Sequence, residues 1–486
     1  MRLPTPVAFG LAIFLLSSTQ FTHAQQGGPS ADPSNADSSA LHETLAGIAF
    51  RSGDFDRAER ELLEAMKEDQ ADVSALLELA QIYESTSQDQ RAFELIKKAH
   101  DTAPTNAEVR RKWLAFLPHD DRRAEVESYL ANVPPDSSER AARLYGVLEF
   151  LKALDRFPDH RCELVSGGRG SERKLRTLFY DPINIRGWSL EVSINDRKMN
   201  LLFDTGSSGI VISRAQALKA GVVEITPAKS ESIGGQGQVY GSTAFARSIR
   251  LGQFEFRNCV IHVVEGRHVM DSDGLIGSDV FRDYLVEINY PERTLKLSPF
   301  GEGSGESQVT PALNSLGYGS DIDILGSERR MQELAVQGNS SAERKRWVRF
   351  FRLKHLLLIP TRVNGHSPKL FLVDSGATAT MLSTQFAREV TVLKSEKDLR
   401  LEGVSGGVKD VYRAKKVLLE FANLRQEDEQ AIAFDLSPIS QYAGTEISGI
   451  VGISVLKSLR LKIDYQHGLM EFVDDAKQAA AQSGLQ

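Results

Sequence analysis

The feature that most limits how this chain can fold is a pattern that occurs twice, in which an apolar segment runs directly into an Asp-hydroxyl-Gly turn. The two copies read Leu201-Leu202-Phe203-Asp204-Thr205-Gly206 and Leu370-Phe371-Leu372-Val373-Asp374-Ser375-Gly376. Their aspartates are 170 positions apart (374 minus 204). A short apolar run bounded by a turn is typical of a buried strand. The chain is therefore predicted to place one carboxyl group at the end of a buried strand in each of two similar halves.

Each residue type in the turn has a chemical use if the two copies meet. Two carboxyl groups held close together cannot both ionise easily, so they share one proton. One then acts as a base toward water, and the other acts as an acid toward a carbonyl group. Gly206 and Gly376 allow a tight turn and a close approach of the backbone, and the hydroxyls of Thr205 and Ser375 can tie the loops together. The pattern therefore predicts a catalytic pair of aspartates.

Two further features follow each aspartate at similar distances. The first is a glycine-rich segment, which suits the tip of a mobile hairpin, and the second is an apolar-apolar-Gly step. The glycine-rich segments contain Gly234, Gly235, Gly237 and Tyr240 in the first half and Gly406 and Gly407 in the second half. The steps end at Gly277, 73 positions after the first aspartate (277 minus 204), and at Gly452, 78 positions after the second (452 minus 374). One such turn alone is a weak signal, whereas two matched sets in tandem are a strong one.

This arrangement resembles the aspartic peptidases of the pepsin and retropepsin class, over about residues 180 to 475. The resemblance implies two mainly-β, barrel-like lobes, each with one catalytic aspartate, Asp204 or Asp374. It also implies that the glycine-rich segments are substrate-binding flaps, with Tyr240 near the family's flap tyrosine, and that Gly277 and Gly452 make room for the active-site loops. The short hairpins are more similar to two fused retropepsin subunits than to pepsin, so one chain is expected to hold a complete site. The implied substrate is a protein or peptide, and no cofactor is expected.

Residues 1–24 are predicted to be a secretory signal peptide. A basic residue, Arg2, precedes an apolar core from Val7 to Leu16 and a cleavage site at Thr22-His23-Ala24. The alternative, a membrane anchor, is disfavoured because the apolar run is too short. Residues 25–40 are rich in Ser, Gly, Pro, Asp and Gln and are predicted to be a disordered linker. The mature protein is expected to be exported, periplasmic or secreted, without an integral membrane span.

Residues 41–160 are predicted to form a helical repeat domain. The residues Leu45, Ala46, Arg57, Ala58 and Ala65 recur 34 positions later (79 minus 45) as Leu79, Ala80, Arg91, Ala92 and Ala99. This period resembles the tetratricopeptide repeat. Two repeats leave apolar faces open, so further helices are predicted at 106–116, 122–130 and 138–154, the last one capped by Asp136. Two interpretations stay open: a docking surface for partners or substrates, and an accessory that packs against the catalytic lobes.

The predicted architecture is a multidomain α plus β chain, in which the α-helical repeat domain is followed by two mainly-β lobes of the acid-protease type. Lobe 1 is assigned to residues 175–300, the inter-lobe linker to 301–350, lobe 2 to 351–473 and a polar tail to 474–486. A basic run that includes Arg349 and Arg352 is interpreted as a solvated face, because most such runs are.

Composition and motifs argue against several other classes. The net charge of −7 gives no electrostatic support for nucleic-acid binding. Two cysteines, Cys162 and Cys259, make one bridge possible and leave it undecided. No His-Glu-x-x-His motif, clustered metal ligands or phosphate loop occurs in the sequence, so no metal site is predicted. One Gly-x-Ser-x-Gly motif surrounds Ser405, and we interpret it as a chance match in a hairpin, because strands rather than a helix are expected after it.

Three functions remain open at this point. The chain can be an active aspartic endopeptidase, an inactive protease-like protein that binds peptides in the same cleft, or an adaptor whose helical repeats are the working part. Two intact aspartates favour the first hypothesis, because peptide binding alone does not require the pair.

Overall fold

The computed structural model of the protein describes residues 15–16, 33–131, 133–134, 138–157, 162–167, 170–179, 182, 184–231, 239–265, 272–300, 347–396, 401–403 and 406–475. In these ranges a helical domain is followed by two β lobes, which confirms the expected fold class. Of the predicted signal peptide, the described part is strand β1 (Leu15–Leu16), which pairs with a lobe 1 strand. None of the helices in the described ranges has the length and apolarity needed to cross a membrane.

The described part of the helical domain contains seven helices. They are α1 (Pro33–Arg51), α2 (Phe55–Glu68), α3 (Val73–Ser85), α4 (Asp89–Thr102), α5 (Ala107–Leu114), α6 (His119–Leu130) and α7 (Glu139–Leu154). The repeated alanines of α1 to α4 are at most 1% exposed, because helices α1 and α2, and likewise α3 and α4, pack closely against each other. The assignment to the tetratricopeptide family stays a prediction.

Two helix starts differ from the sequence-based expectation. Helix α1 begins at Pro33, so its first residues fall in the segment predicted to be a disordered linker. Proline suits the first turn of a helix, where its missing N–H has no intrahelical partner to lose. Helix α7 is capped by Ser138, which accepts a hydrogen bond from the Ala141 N–H at 3.1 Å. The predicted cap, Asp136, lies outside the described residues.

Lobe 1 is a closed barrel. Its elements are β2 (Glu163–Ser166), β3 (Ser171–Lys174), β4 (Arg176–Phe179), β5 (Ile185–Ile194), β6 (Arg197–Asp204), β7 (Ile210–Ser213), α8 (Arg214–Ala220), β8 (Val223–Glu231), β9 (Val239–Leu251), β10 (Phe254–Val264), β11 (Gly274–Gly277), a 3-10 helix (Ser278–Phe281), β12 (Leu285–Asn289) and β13 (Thr294–Ser298). The main sheet has the order β1-β8-β9-β10-β7-β11-β6-β5-β4, and an additional pairing of β5 with β9 closes it.

Lobe 1 begins earlier than the predicted residue 175. Strand β2 pairs with β10, and a disulfide joins Cys162 to Cys259 within β10, so the segment after the helical domain already belongs to the lobe. The bond that the sequence left undecided is therefore present in the structure.

Lobe 2 is an open half-barrel. Its elements are β14 (Trp347–Arg349), β15 (Phe351–Leu353), β16 (Leu356–Val363), β17 (Lys369–Val373), β18 (Met381–Ser383), α9 (Thr384–Val390), β19 (Val392–Ser395), β20 (Leu401–Gly403), β21 (Gly406–Val408), β22 (Tyr412–Lys415), β23 (Val417–Phe421), β24 (Leu424–Asp428), β25 (Ile432–Phe434), α10 (Ser437–Ala443), β26 (Gly449–Val451), α11 (Ile453–Leu456), β27 (Arg460–Asp464) and β28 (Leu469–Val473). The main sheet has the order β19-β22-β25-β18-β26-β17-β16-β23-β24.

A six-stranded sheet joins the two lobes. Its order is β14-β28-β27-β12-β13-β3, so three adjacent strands come from each lobe. The junction is the antiparallel pair β12–β27, in which Val286 lies opposite Ile463. Strand β14 and the fully buried Phe350 fall within the segment predicted to be the inter-lobe linker. The last residues of that segment are therefore part of a sheet.

The strands that lead to the aspartates are fixed by equivalent turns in both lobes. Asn195 and Asp196 form the whole connection between β5 and β6, whereas Asn364 and Gly365 begin the five-residue connection between β16 and β17; all four residues have positive φ angles. Asn, Asp and Gly adopt this conformation at the lowest cost, and the two-residue connection in lobe 1 suits the twist of the strands. The register of each hairpin is thereby set, and with it the face to which every side chain of β6 and β17 points.

The helical domain packs on lobe 2 and shares a hydrophobic core with it. Phe55 of α2 contacts Phe351 of β15, with 4.6 Å between the ring centroids. The basic run takes part in this interface: Arg349 pairs with Asp56 at 3.1 Å, and Arg352 pairs with Asp89 at 2.7 Å. The interpretation of these two arginines as a solvated face was wrong, because the helices bring carboxylates to them.

Candidate active site

The two predicted aspartates lie at the ends of central strands of the two lobes. Asp204 ends β6, and Asp374 directly follows β17. In lobe 1, β11 runs parallel to β6 and aligns Gly277 with Asp204. In lobe 2, β26 runs parallel to β17, and the Asp374 N–H donates to the Val451 carbonyl at 3.0 Å. Each aspartate is thus held by the backbone of the strand that carries the apolar-apolar-Gly step.

Gly206 and Gly376 bring the two loops into direct contact. A Cβ atom on Gly206 would meet the Asp374 carboxyl at 2.7 Å, and one on Gly376 would meet the Asp204 carboxyl at 2.5 Å. Each glycine N–H also donates to its own aspartate, to Asp204 Oδ1 at 2.8 Å and to Asp374 Oδ1 at 2.7 Å. Each loop therefore holds its own carboxylate and leaves space for the other one.

Four hydrogen bonds link Thr205 and Ser375 across the lobes. The Thr205 N–H donates to Ser375 Oγ at 3.1 Å, and the Ser375 N–H donates to Thr205 Oγ1 at 2.9 Å. The Thr205 hydroxyl donates to the Val373 carbonyl at 2.8 Å, and the Ser375 hydroxyl donates to the Phe203 carbonyl at 3.0 Å. All these groups are buried, so the network is protected from competition with water. It fixes the position of one aspartate relative to the other.

The electrostatics of the pair follow from burial. Both aspartates are 0% exposed, and burial raises the pKa of Asp204 and of Asp374 above the ordinary range of an aspartate. The neighbouring Asp374 carboxyl raises the pKa of Asp204 further, whereas the glycine N–H groups act in the opposite direction. Because two charges are costly in this place, the pair retains one proton. The Oδ2 atom of each aspartate is buried and has no hydrogen-bond partner among the described residues.

Gly277 and Gly452 lie where the active-site loops pass. A Cβ atom on Gly277 would collide with the Ser207 carbonyl, and one on Gly452 would meet the Ala377 carbonyl at 2.6 Å. The Gly277 N–H also donates to the Gly209 carbonyl at 2.8 Å. Both positions have the geometry that the sequence suggested for them.

The predicted flap residues are described only in part. Gly234, Gly235 and Gly237 lie outside the described residues. Tyr240 belongs to β9, where its backbone pairs with Lys229 of β8. Gly406 and Gly407 belong to β21 and pair with β20, which forms a two-stranded hairpin in lobe 2. This hairpin also contains the Gly-x-Ser-x-Gly motif, of which Ser405 lies outside the described residues.

Two buried tyrosines near the site were not predicted as functional. Tyr290 follows β12 and lies beside Ser375 of the other lobe, and burial raises its pKa. Tyr465 follows β27, and its hydroxyl lies 2.7 Å from the Ser278 hydroxyl of the other lobe. The sequence carried a signal for both, because the two halves end alike in Asn289-Tyr290 and Asp464-Tyr465. Tyr290 contacts the active-site loop of lobe 2, and Tyr465 contacts the 3-10 helix that follows β11 in lobe 1.

One group of potential metal ligands occurs in the described ranges, and it lies in the helical domain. His119, Asp120 and Asp155 bring their ligand atoms close together, but Asp155 also pairs with Arg123. A guanidinium at this place competes with any cation, so the group is best described as an ion-pair cluster.

Comparison with known proteins found one matching family and similar solved structures. Two segments of the chain, residues 190–280 and 359–455, match the aspartyl protease family. One matched segment lies in each lobe, and each contains one of the two aspartates. The chain is also similar to the crystal structure of aspartic proteinase from Irpex lacteus, with 11% sequence identity and a TM-score of 0.35, over 63% of this chain and 97% of that chain. No curated protein matches the sequence.

Proposed function

We propose that this protein is an aspartic endopeptidase in which Asp204 and Asp374 activate a water molecule against a peptide bond. The ionised carboxylate takes a proton from the water, and the water oxygen bonds to the peptide carbonyl carbon. The protonated carboxyl gives its proton to the carbonyl oxygen, and a tetrahedral diol results. The carboxyl that took the proton from water then gives it to the nitrogen as the carbon–nitrogen bond breaks, and the ionised carboxylate takes a proton from one hydroxyl of the diol. The products are an amine and a carboxylic acid, and the pair again holds one proton.

The observation that carries this proposal is the state of the two Oδ2 atoms. Each is buried and accepts no N–H or hydroxyl of the described residues, and the two carboxyl groups interact with each other. Each Oδ1 atom, in contrast, is held by a glycine N–H. A reacting water between the two Oδ2 atoms would satisfy both carboxyl groups.

Cleavage of a peptide library by the wild type, beside Asp204→Asn and Asp374→Asn, tests the proposal. An amide can neither act as the base nor carry the charge of the pair, so we expect each variant to lose activity by about a thousandfold or more. Thermal unfolding of the variants checks that the fold is intact. If either variant keeps most of the wild-type rate, the catalytic pair is assigned incorrectly.

The site is proposed to be complete in one chain, because the four hydrogen bonds between the loops join residues of the same molecule. Specific activity should therefore stay constant as the enzyme is diluted. A loss of specific activity that tracks the dissociation of a dimer would instead mean that the site forms between chains.

The proposed location of the protein is outside the cytoplasm. The signal-like segment supports export, and the Cys162–Cys259 disulfide supports an oxidising compartment. N-terminal sequencing of the mature protein should show cleavage after Ala24. Docking of a partner on the helical domain is also a proposal, and its apolar exposed residues on α1, Leu41 and Ile48, are the surface to mutate in a binding assay.

A further inference from the structure

The active-site loop of lobe 1 is held by a carboxylate that the proposed chemistry does not use. Asp279 lies in the 3-10 helix that directly follows β11 and its terminal Gly277. Its Oδ2 atom accepts a hydrogen bond from the Ser208 hydroxyl at 2.7 Å, and its Oδ1 atom accepts one from the Gly209 N–H at 2.9 Å. Ser208 and Gly209 come four and five positions after Asp204 (208 and 209 minus 204). One side chain therefore clamps the end of the loop that begins at Asp204.

The loop is the main direct partner of this carboxylate. No ion pair of Asp279 occurs in the described part of the chain, and the hydrogen bonds to its carboxylate come from two residues of the loop, Ser208 and Gly209. Hydrogen bonds to a charged acceptor are shorter and stronger than neutral ones. Asp279 is also partly buried, so water competes weakly for its oxygens. The clamp therefore acts at the end of the loop where the Gly209 carbonyl also accepts the Gly277 N–H.

Lobe 2 holds the equivalent loop differently. Ser454 takes the position of Asp279, two residues after Gly452 (454 minus 452). Its hydroxyl accepts the Thr380 N–H at 3.0 Å and donates to Asp428 Oδ2 at 2.5 Å. The Thr378 hydroxyl, which corresponds to that of Ser208, has no hydrogen-bond partner among the described residues. A carboxylate thus contacts the loop directly in lobe 1, and through one serine in lobe 2.

We infer that Asp279 is a positioning residue that keeps the Asp204 carboxyl in register with Asp374, and that the Ser454–Asp428 pair has the same, weaker role in lobe 2. The inference rests on the proposed peptidase function for its effect on rate, but the clamp itself does not. Displacement of a reacting group by 1 Å can cost about a hundredfold in rate. Asp279 accepts hydrogen bonds from two loop residues, Ser208 and Gly209, with a carboxylate. The neutral Ser454 hydroxyl contacts one loop residue, Thr380, so loss of Asp279 should have the larger effect.

The test compares Asp279→Ala with Asp279→Asn by two measurements on the full chain. An asparagine can accept the Gly209 N–H with its oxygen and donate to the Ser208 hydroxyl with its nitrogen, so it retains both contacts without the charge. Hydrogen exchange of residues 201–213 reports the clamp directly, with residues 371–383 as the internal control. We expect roughly tenfold faster exchange in Asp279→Ala and little change in Asp279→Asn. Ser454→Ala should affect residues 371–383 instead.

Steady-state kinetics provide the second measurement. We expect kcat to fall by about ten- to a hundredfold in Asp279→Ala with KM changed by less than about threefold, and Asp279→Asn to restore most of kcat. Glu191→Ala, which removes an exposed carboxylate from lobe 1, is the control and should match the wild type. If Asp279→Ala does not fold, Ser208→Ala removes one of the same two contacts and should show a smaller change in the same direction.

The outcomes separate the clamp from the proposed function. Unchanged exchange in residues 201–213 of Asp279→Ala overturns the positioning role, whatever the activity. A change in KM or in unfolding temperature without a change in kcat overturns it as well. If the wild type cleaves no peptide while Asp279→Ala exchanges faster, the peptidase proposal fails and the clamp stands.

Discussion

In lobe 1 the sheet closes through the pairing of β5 with β9, whereas the described strands of lobe 2 leave the sheet open between β19 and β24. The two lobes also differ in their cover. Helices α1 to α4 share a hydrophobic core with lobe 2, while lobe 1 is contacted by the end of α7 through Leu154, Ile225 and Phe245. An open sheet has an apolar face that must be buried. The helical domain is therefore part of the fold of lobe 2, which favours the accessory interpretation of the repeats.

Around the two aspartates, in contrast, the lobes are nearly equivalent. In both loops a glycine faces the opposite carboxyl group. The N–H of Thr205 donates to the Ser375 hydroxyl and the N–H of Ser375 donates to the Thr205 hydroxyl, although the two side chains differ. The active-site loops are alike because both aspartates must meet in one site. The two lobes bury their apolar faces differently, lobe 1 by closing its sheet and lobe 2 by packing against the helical domain.

After the two aspartates themselves, the largest effects should come from the glycines that bring the loops together. Gly206→Ala and Gly376→Ala each place a methyl group against the opposite carboxyl. We expect both variants to lose peptidase activity by about a hundredfold or more, because a shift of 1 Å in the pair is enough for that. Initial rates on one peptide substrate measure it. A large difference between the two variants would break the equivalence of the loops.

The helical domain packs more extensively on lobe 2 than on lobe 1, so replacing a phenylalanine at each contact should reduce the free energy of unfolding by different amounts. Phe55 is 1% exposed and packs between the helices and lobe 2, so Phe55→Ala should cost about 3–5 kcal/mol. Phe157 is half-buried and stacks on Phe245 of lobe 1, so Phe157→Ala should cost about 1–2 kcal/mol. Hydrogen exchange should rise in residues 351–373 for the first variant and in residues 223–251 for the second. Equal costs would mean that the helical domain supports both lobes alike.

Loss of either hydroxyl, that of Thr205 or that of Ser375, should destabilise the contact between the two active-site loops. Thr205→Val and Ser375→Ala each leave a buried N–H of the other loop without its acceptor, at a cost of about 1–3 kcal/mol. Thermal unfolding of both variants measures the effect, and Thr205→Ser, which keeps the hydroxyl, is the control. If one variant unfolds at the same temperature as the wild type, the hydrogen bonds of that residue do not contribute to stability.

The smallest expected effect concerns stability against pH. The buried pair has raised pKa values, so the folded state keeps a proton that the unfolded state releases above about pH 4. Stability is then fully present below that pH and falls as pH rises toward the pKa values of the folded pair, by at most about 1.4 kcal/mol per pH unit for each proton retained. Unfolding of Asp374→Asn should show a flatter pH dependence than the wild type from pH 4 to 7. An unchanged slope would mean that the pair does not hold the proton.

Much of the site could be predicted from the sequence by local rules. An apolar run that ends in Asp and Gly predicts a buried strand and a tight turn, and its repetition predicts that two such turns meet. The residues Asn195-Asp196 and Asn364-Gly365 fix the turns that set the register of both hairpins. These features depend on residues close together in the chain, so the sequence by itself determined the pair of aspartates, their glycines and their hydroxyls.

Tertiary structure decided the features that join distant parts of the chain. Arg349 and Asp56 are 293 positions apart, and the Thr445 hydroxyl donates to the Phe50 carbonyl across 395 positions. The Cys162–Cys259 bond, the clamp by Asp279 and the contact between Tyr465 and Ser278 are of the same kind. Neither charge nor hydropathy along the sequence specifies which surface will face which, because that choice depends on the complementary shapes of folded domains. The basic run was misassigned for this reason: the carboxylates that neutralise it are supplied by another domain.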